Sequence, residues 1–210
     1  MSKDKALAAK AVADRIEQAV GEAESRTSAE FAVVIARQSG SYADVDLRWG
    51  IVVAAAVMLA IVFLPLDFPD WSLALALPAF FAVAWAASRH LPWLRHWLTR
   101  ANRRVAQVRE GAELAFVRQG VSHTVHRTGI LIYASWLERR AEVIADVGVL
   151  RHVPRHEWNL AEATLRGAAI GAKFPDELLA ALHEMSLMLA KYLPPVEGVA
   201  DEIPKRPVFL

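Results

Sequence analysis

Four acidic residues in the second half of the chain could together bind a divalent cation: Glu138, Asp146, Asp201 and Glu202. A hard cation needs several carboxylate oxygens that converge on it, and a bound cation can then assist phosphoryl transfer. Glu138 lies in a predicted turn and Asp146 ends the strand that follows, so we expect them at opposite ends of that strand. The simpler expectation is therefore that Glu138 pairs with Arg139 or another neighbour and that Asp146 caps a turn.

Other kinds of chemistry have little support. The chain has no cysteine, which excludes thiolate nucleophiles and cysteine zinc sites. It has neither a Walker loop nor a glycine-rich dinucleotide loop, and Ser135 lies outside any Gly-x-Ser-x-Gly pattern. Asp44 and Asp46 have an Asp-x-Asp spacing, but they directly precede an apolar run, and we expect a solvated loop there.

The apolar residues are concentrated in one part of the chain. Of the 210 residues, 55% are hydrophobic, and residues 49–88 carry only Asp67 and Asp70 as charged residues. Residues 49–66 and 71–88 are two apolar runs separated by a turn with two prolines, and each is just long enough to cross a bilayer. This pattern predicts a two-helix transmembrane hairpin, and the alternative is a helical hairpin buried in a soluble core.

The flanks of these runs indicate an orientation in the membrane. The turn carries only acidic charge, whereas residues 89–118 carry seven arginines against two glutamates. By the positive-inside rule, both long flanks are cytoplasmic, in a bacterial-type inner membrane crossed twice. We expect an interfacial helix over residues 90–98, continuing as a helix to about Arg118. The expected membrane-interface residues, in contact with the lipid bilayer, are Trp49, Trp71, Trp93, Trp97, Arg89, Arg95, Arg100, Arg103 and Arg104.

The remaining segments predict an α/β domain into which the hairpin is inserted. We expect helices over residues 4–24, 154–169 and from 175 to the prolines at 194–195, and strands over 30–36, 128–135 and 141–147. The last two strands form an antiparallel hairpin that needs a further strand, which residues 30–36 can supply. Residues 197–210 are expected to be extended or loop. The predicted organisation is therefore 1–48, 49–88, 89–120 and 121–210, and no motif predicts a nucleic-acid partner.

Residues 127–148 resemble the core of the TPM domain, a family named for a thylakoid lumen protein, a photosystem II repair protein and a nematode receptor modulator. The shared pattern is Gly129 with an apolar strand, Glu138-Arg139 in a turn, a second apolar strand and Gly148. Ala29-Glu30 before the first strand, Trp158, and the run at 201–204 extend the similarity to the bacterial membrane branch of the family. That branch often has Asn-Glu-Leu-Pro where this chain has Asp-Glu-Ile-Pro.

The resemblance implies a small α/β domain with a mixed sheet and helices on both faces. Weak phosphatase activity and calcium binding have been attributed to some members of the family. Our leading expectation is a membrane-anchored accessory or interaction module, with another membrane protein as a candidate partner. The alternative is a low-specificity phosphatase that depends on calcium or another divalent cation held by Glu138, Asp146 or the pair Asp201-Glu202; no catalytic residue is identified.

Overall fold

The computed structural model describes residues 3–63, 70–167, 173–196 and 202–210, and for residues 3–9 and 70–73 it describes the backbone only. The described elements follow one another along the chain, with a short 3-10 turn before the second strand. They are α1 (Lys3–Glu24), β1 (Glu30–Ala36), α2 (Ala43–Phe63), α3 (Asp70–His90), α4 (Pro92–Leu98), α5 (Ala101–Arg118), the 3-10 turn Val121–His123, β2 (Gly129–Ser135), β3 (Arg140–Ala145), α6 (Val147–His152), α7 (Arg155–Gly167), α8 (Phe174–Ala190) and β4 (Val208–Phe209).

The four described strands form one mixed sheet in the order β3-β2-β1-β4. β1 and β2 are parallel, from the pair Glu30 and Gly129 to the pair Ala36 and Ser135. β3 pairs with β2 in antiparallel orientation, and β4 pairs with β1 in parallel orientation. Residues on both sides of the α2–α3 segment therefore contribute to the same sheet, and β1 supplies the strand that the β2–β3 hairpin needs.

Helices cover both faces of the sheet. Because side chains alternate along a strand, Phe31 and Val33 of β1 face one way and Ala32 and Val34 face the other. The first face packs in one core with α1, α7 and α8. The second face packs in a separate core with α5, through residues such as Ala112. Both faces of β1 and β2 are thus buried, which explains why these strands are almost continuously apolar.

The chain divides into two compact units. One consists of residues 1–39 and 105–210 and contains the sheet; the other consists of residues 40–104 and contains α2, α3 and α4. In the second unit α2 and α3 lie side by side. A Cβ atom added to Gly50 would lie 2.7 Å from the ring of Phe81, so glycine permits this close approach of the two helices.

Most predicted elements are confirmed, and two predictions at element ends were wrong. The helix expected over residues 90–118 is interrupted at Leu91, because Pro92 cannot donate the backbone hydrogen bond that would continue α3. It is interrupted again at Thr99, whose backbone is extended. The strand expected to reach Val147 ends at Ala145, and a short helix, α6, follows. The described part of the tail, which was expected to be extended or loop, agrees with that expectation and contains the two-residue strand β4.

The two apolar runs both form helices, but they differ in how well they match a membrane span. α2 is long and apolar enough to cross a bilayer by itself. In α3, the described stretch Ala74–His90 reaches that length only together with Pro92–Leu98, and these two segments are bent by 99°. Among the described residues, length and composition therefore support one spanning helix, or two if the bent pair counts as one.

Candidate functional site

The unit formed by residues 40–104 contains a cluster of charged side chains at the start of α2. Asp44 and Asp46 lie in the first turn of this helix, whose start is fixed by hydrogen bonds from the backbone N–H groups of Val45 and Asp46 to the carbonyl of Tyr42. The expectation of a solvated loop at this position was wrong. Asp46 is buried, and its side-chain partners come from α3 and α4.

Asp46 forms a bidentate ion pair with Arg95 of α4. Nη2 of Arg95 lies 2.5 Å from Oδ2 of Asp46, and Nε of Arg95 donates to Oδ1 at 3.2 Å. Ser88, near the end of α3, donates a hydrogen bond from Oγ to the same Oδ1 at 2.7 Å. This group of three side chains, Asp46, Arg95 and Ser88, is called the clamp below. It joins α2, α3 and α4, because each helix contributes one member.

A second ion pair lies next to the clamp. Both terminal nitrogens of Arg103 bind the carboxylate of Asp44, at 2.6 and 2.7 Å, and one of them also donates to the carbonyl of Ser41. The ring of buried Tyr42 lies 5.9 Å from the guanidinium of Arg95 and 5.7 Å from that of Arg103. Two acids and two arginines thus compensate each other, which the buried pair of Asp46 and Arg95 requires, whereas the pair of Asp44 and Arg103 is partly exposed.

The two tryptophans of α4 are both strongly exposed. Trp93 is 63% exposed and Trp97 is 75% exposed. They are four residues apart, so they share one face of α4. Arg95 lies between them in sequence but is rotated by about 200° from each at 100° per residue, which places it on the opposite face. The inward ion pair of Arg95 and the outward position of both tryptophans are therefore consequences of the same rotation of α4.

The other predicted interface residues have different surroundings. Arg89 and Arg100 are exposed, and the guanidinium of Arg89 lies 5.4 Å from the ring centre of Trp85. Arg104 donates to the carbonyls of His96 and Thr99 and so helps to end α4. Trp49 is half-buried in α2, whereas Trp71 lies in the part of α3 for which only the backbone is described.

Glu138, the first of the predicted metal ligands, is buried in the β2–β3 turn of the sheet unit. Its carboxylate accepts hydrogen bonds from Oγ of Ser135 and from the backbone N–H of Ser39, the latter at 3.0 Å. Arg139, which follows it, adopts a left-handed conformation with φ 52°. Glu138 therefore ties the turn after β2 to the residues after β1, and its partner is Ser135 rather than Arg139.

Asp146 lies at the other end of β3 and caps α6. Its Oδ1 accepts from the backbone N–H of Val147, and its carboxylate pairs with Arg127, whose Nε lies 2.8 Å from Oδ2. Glu202 accepts from the backbone N–H of Val125 at 2.9 Å. Asp201 lies outside the described residues. Among the side chains that the structure describes, no three His, Asp or Glu residues come together as a metal site would require.

Glu30 is a titratable residue that the sequence analysis used as the start of a strand and as part of the TPM pattern, but not as a site residue. It is half-buried, and its Oε2 accepts from the backbone N–H of Glu202 at 3.1 Å. Burial, followed by the nearby charges of Glu202 and Glu24, raises the pKa of Glu30 to about 7. The sequence signal for this site was weak, because Glu202 is 172 residues away.

The clamp was also missed, although its sequence contains a signal. Tyr42, Asp46 and Gly50 are spaced by four residues, which places them on one side of a helix, and a carboxylate at the start of an apolar helix needs a cation. Arg95 was identified, but as a residue in contact with lipid. The structure gives its guanidinium an internal partner 49 residues away.

Comparisons with known proteins agree with this architecture at the level of the fold. No family model matches the chain, and no curated protein matches it. Among solved structures, the chain is similar to the NMR structure of the BA42 protein from the psychrophilic bacterium Bizionia argentinensis, with a TM-score of 0.54 and 15% sequence identity. The similarity covers 95% of this chain and 92% of that chain. The chain is therefore a mixed α/β protein with a four-stranded sheet flanked by helices, and a likeness at this identity concerns the fold alone.

Proposed function

We propose that this protein is a membrane-anchored accessory module, in which the α/β unit is held at a bacterial inner membrane and binds another membrane protein. The observation that carries the proposal is the surface of α2. In its apolar 18-residue window only 17% of the residues are buried, whereas the core helix of a soluble protein would be mostly buried. Large side chains such as Ile51, Leu59 and Phe63 are exposed instead.

An exposed apolar helix of this length is unfavourable in water and favourable in lipid. Exposed apolar surface costs about 25 cal/mol per Å², and a row of such side chains on one helix is rare in soluble monomers. The acidic turn between the two apolar runs and the arginines after them support a cytoplasmic location for both termini. The similarity of residues 127–148 to the TPM pattern supports an accessory role for the sheet unit.

Membrane extraction tests the anchor directly. The protein is expressed in bacteria, and the membrane fraction is washed with alkaline carbonate, which removes peripheral proteins but not spanning ones. We expect the chain to stay in the membrane pellet, and reporters fused to either terminus to show cytoplasmic activity. Release of the chain into the wash would contradict the proposal.

A matched pair of substitutions distinguishes lipid from water around α2. Leu59 in α2 and Leu114 in α5 are 59% and 57% exposed, so Leu→Arg should be equally mild at both positions if both face water. In a membrane, an arginine near the middle of a span costs about 2.5–3.5 kcal/mol. We expect Leu59→Arg to reduce the membrane-inserted amount and Leu114→Arg to leave it unchanged. Equal behaviour of the two variants would argue against the anchor.

A further inference from the structure

We propose that α4 lies flat on the phospholipid surface, with Trp93 and Trp97 inserted at headgroup level, and that the clamp sets this orientation. The inference rests on the proposed function, because it requires α2 and α3 to be in the membrane. It differs from the sequence expectation in the role of Arg95. This residue would orient the lipid-binding face from the opposite side of α4 and would not contact lipid itself.

The bend between α3 and α4 is the first step of the argument. The described part of α3 and α4 meet at 99°. A helix that crosses a bilayer is tilted by about 20° on average from the membrane normal. If α3 follows the normal in this way, α4 runs close to the membrane plane. Pro92 at the first position of α4 fixes the bend, since α3 cannot continue through it.

The rotation of α4 about its own axis is the second step. Arg95 is held on one side by the clamp, and its side chain is only 13% exposed. Trp93 and Trp97 are consequently on the outer face, where large amphipathic rings favour the headgroup level of a membrane. In water, by contrast, two tryptophans exposed to this extent on a seven-residue helix would leave the apolar surface of their rings unburied.

Charge complementarity is the third step and identifies the partner as a phospholipid surface. Arg89 and Arg100 are exposed on either side of α4 and have no acidic partner among the described side chains. Basic residues near a membrane surface contribute about 1 kcal/mol each through attraction to anionic lipid headgroups. Arg95 and Arg103 do not take part in this attraction, because Asp46 and Asp44 already neutralise them.

Site-directed spin labelling of the full chain tests the inference, and the absence of cysteine makes single labels straightforward. Nitroxides are attached to Trp93→Cys and Trp97→Cys in vesicles of equimolar phosphatidylcholine and phosphatidylglycerol. Leu59→Cys serves as the reference for α2, and Leu114→Cys serves as the aqueous reference. Accessibility to oxygen and to a water-soluble nickel complex gives the depth of each label. We expect positions 93 and 97 to lie between the deep value at 59 and the aqueous value at 114.

The outcomes separate this inference from the proposed function. A deep label at 59 with aqueous labels at 93 and 97 would overturn the orientation of α4 and leave the anchor intact. An aqueous label at 59 would overturn both. A label at 93 or 97 as deep as that at 59 would also overturn the interfacial position, since α4 would then be within the bilayer core.

The role of the clamp is tested in the same labelled proteins. Asp46→Asn combined with Arg95→Gln removes both charges together, so no lone charge is left buried. We expect the labels at 93 and 97 to shift towards the aqueous value while the label at 59 keeps its depth. Arg95→Lys, which keeps the charge opposite Asp46, should retain much of the interfacial depth. Unchanged depths at 93 and 97 in the charge-free variant would overturn the positioning role.

Discussion

Asp46 and Arg95 are 49 residues apart in sequence and form a buried, bidentate ion pair. The carboxylate is on the first turn of α2 and the guanidinium is on α4, so the pair closes the α2–α3 hairpin at its base. Ser88 completes the clamp with a hydrogen bond to the same carboxylate. A buried pair of this kind is more important for specifying one arrangement of helices than for adding net stability.

Removing one partner of this pair should be far more costly than removing both. Asp46→Ala leaves the guanidinium of Arg95 buried without a counter-charge, and we expect a loss of about 3–5 kcal/mol in the free energy of unfolding. Asp46→Leu combined with Arg95→Met should recover most of that loss, because apolar residues of similar volume replace the pair. Thermal unfolding in detergent micelles measures both variants.

The exposed pair of Arg109 and Glu113 is the matched control for this experiment. These side chains are more than half exposed, and an ion pair of this kind contributes little to stability because water screens it. Glu113→Ala should therefore lower the unfolding midpoint only slightly. If Asp46→Ala is as mild as Glu113→Ala, the pair of Asp46 and Arg95 is not buried in the protein.

Glu138 should behave as a residue that fixes the turn. Its buried carboxylate accepts from Ser135 and from the backbone of Ser39, and hydrogen bonds to a charged group contribute about 1.5–3 kcal/mol each. We expect Glu138→Ala to destabilise the sheet unit by at least that amount of free energy. Glu138→Gln should be milder, since the amide oxygen can still accept one of the two hydrogen bonds.

Gly129, at the start of β2, should not tolerate a side chain. A Cβ atom there would lie 2.3 Å from the carbonyl oxygen of Val121, which is backbone and cannot rotate away. We expect Gly129→Ala to destabilise the protein by about 1–3 kcal/mol, the usual cost of overpacking. Gly167→Ala is the control, because a Cβ atom at that position meets none of the described residues within 4 Å. Equal unfolding midpoints for the two variants would contradict this packing.

The elements that could be predicted from sequence are those with a strong local pattern. The spacing of Ile16 and Val20 predicted α1, and the run of apolar residues from Phe31 predicted β1. β4 could not be predicted, because Val208–Phe209 is too short for any periodicity. It exists because Arg37 donates its backbone N–H to the carbonyl of Leu210, and Leu210 donates its own to Ile35.

The candidate site shows more clearly that local sequence patterns do not predict long-range contacts. Trp93 and Trp97 could be identified because their spacing and type are local properties. The burial of Asp46 could not, because it depends on a partner from another helix that reaches it only when the chain has folded. Asp146 was correctly expected to cap a turn, but the helix it caps, α6, was not predicted, and its first residue, Val147, was assigned to the preceding strand. The type and spacing of side chains could thus be interpreted from the sequence, whereas the contacts that determine their roles could not.

Glu30 provides a test that depends on pH. Its pKa in the folded protein, about 7, is above the ordinary value of 4.5, so the folded state holds a proton that the unfolded chain has lost between these values. The stabilisation from Glu30 is therefore complete below pH 4.5 and is lost as the pH rises through 7. We expect Glu30→Gln, which stays neutral, to raise the unfolding midpoint at pH 8 and to have little effect at pH 5.

Glu17→Gln, a substitution at a half-buried position of α1, is the control for general effects of removing a negative charge. Its shift in the unfolding midpoint should not change between pH 5 and pH 8. If Glu30→Gln also shows no dependence on pH, Glu30 is charged throughout this range. That outcome would contradict the raised pKa of Glu30.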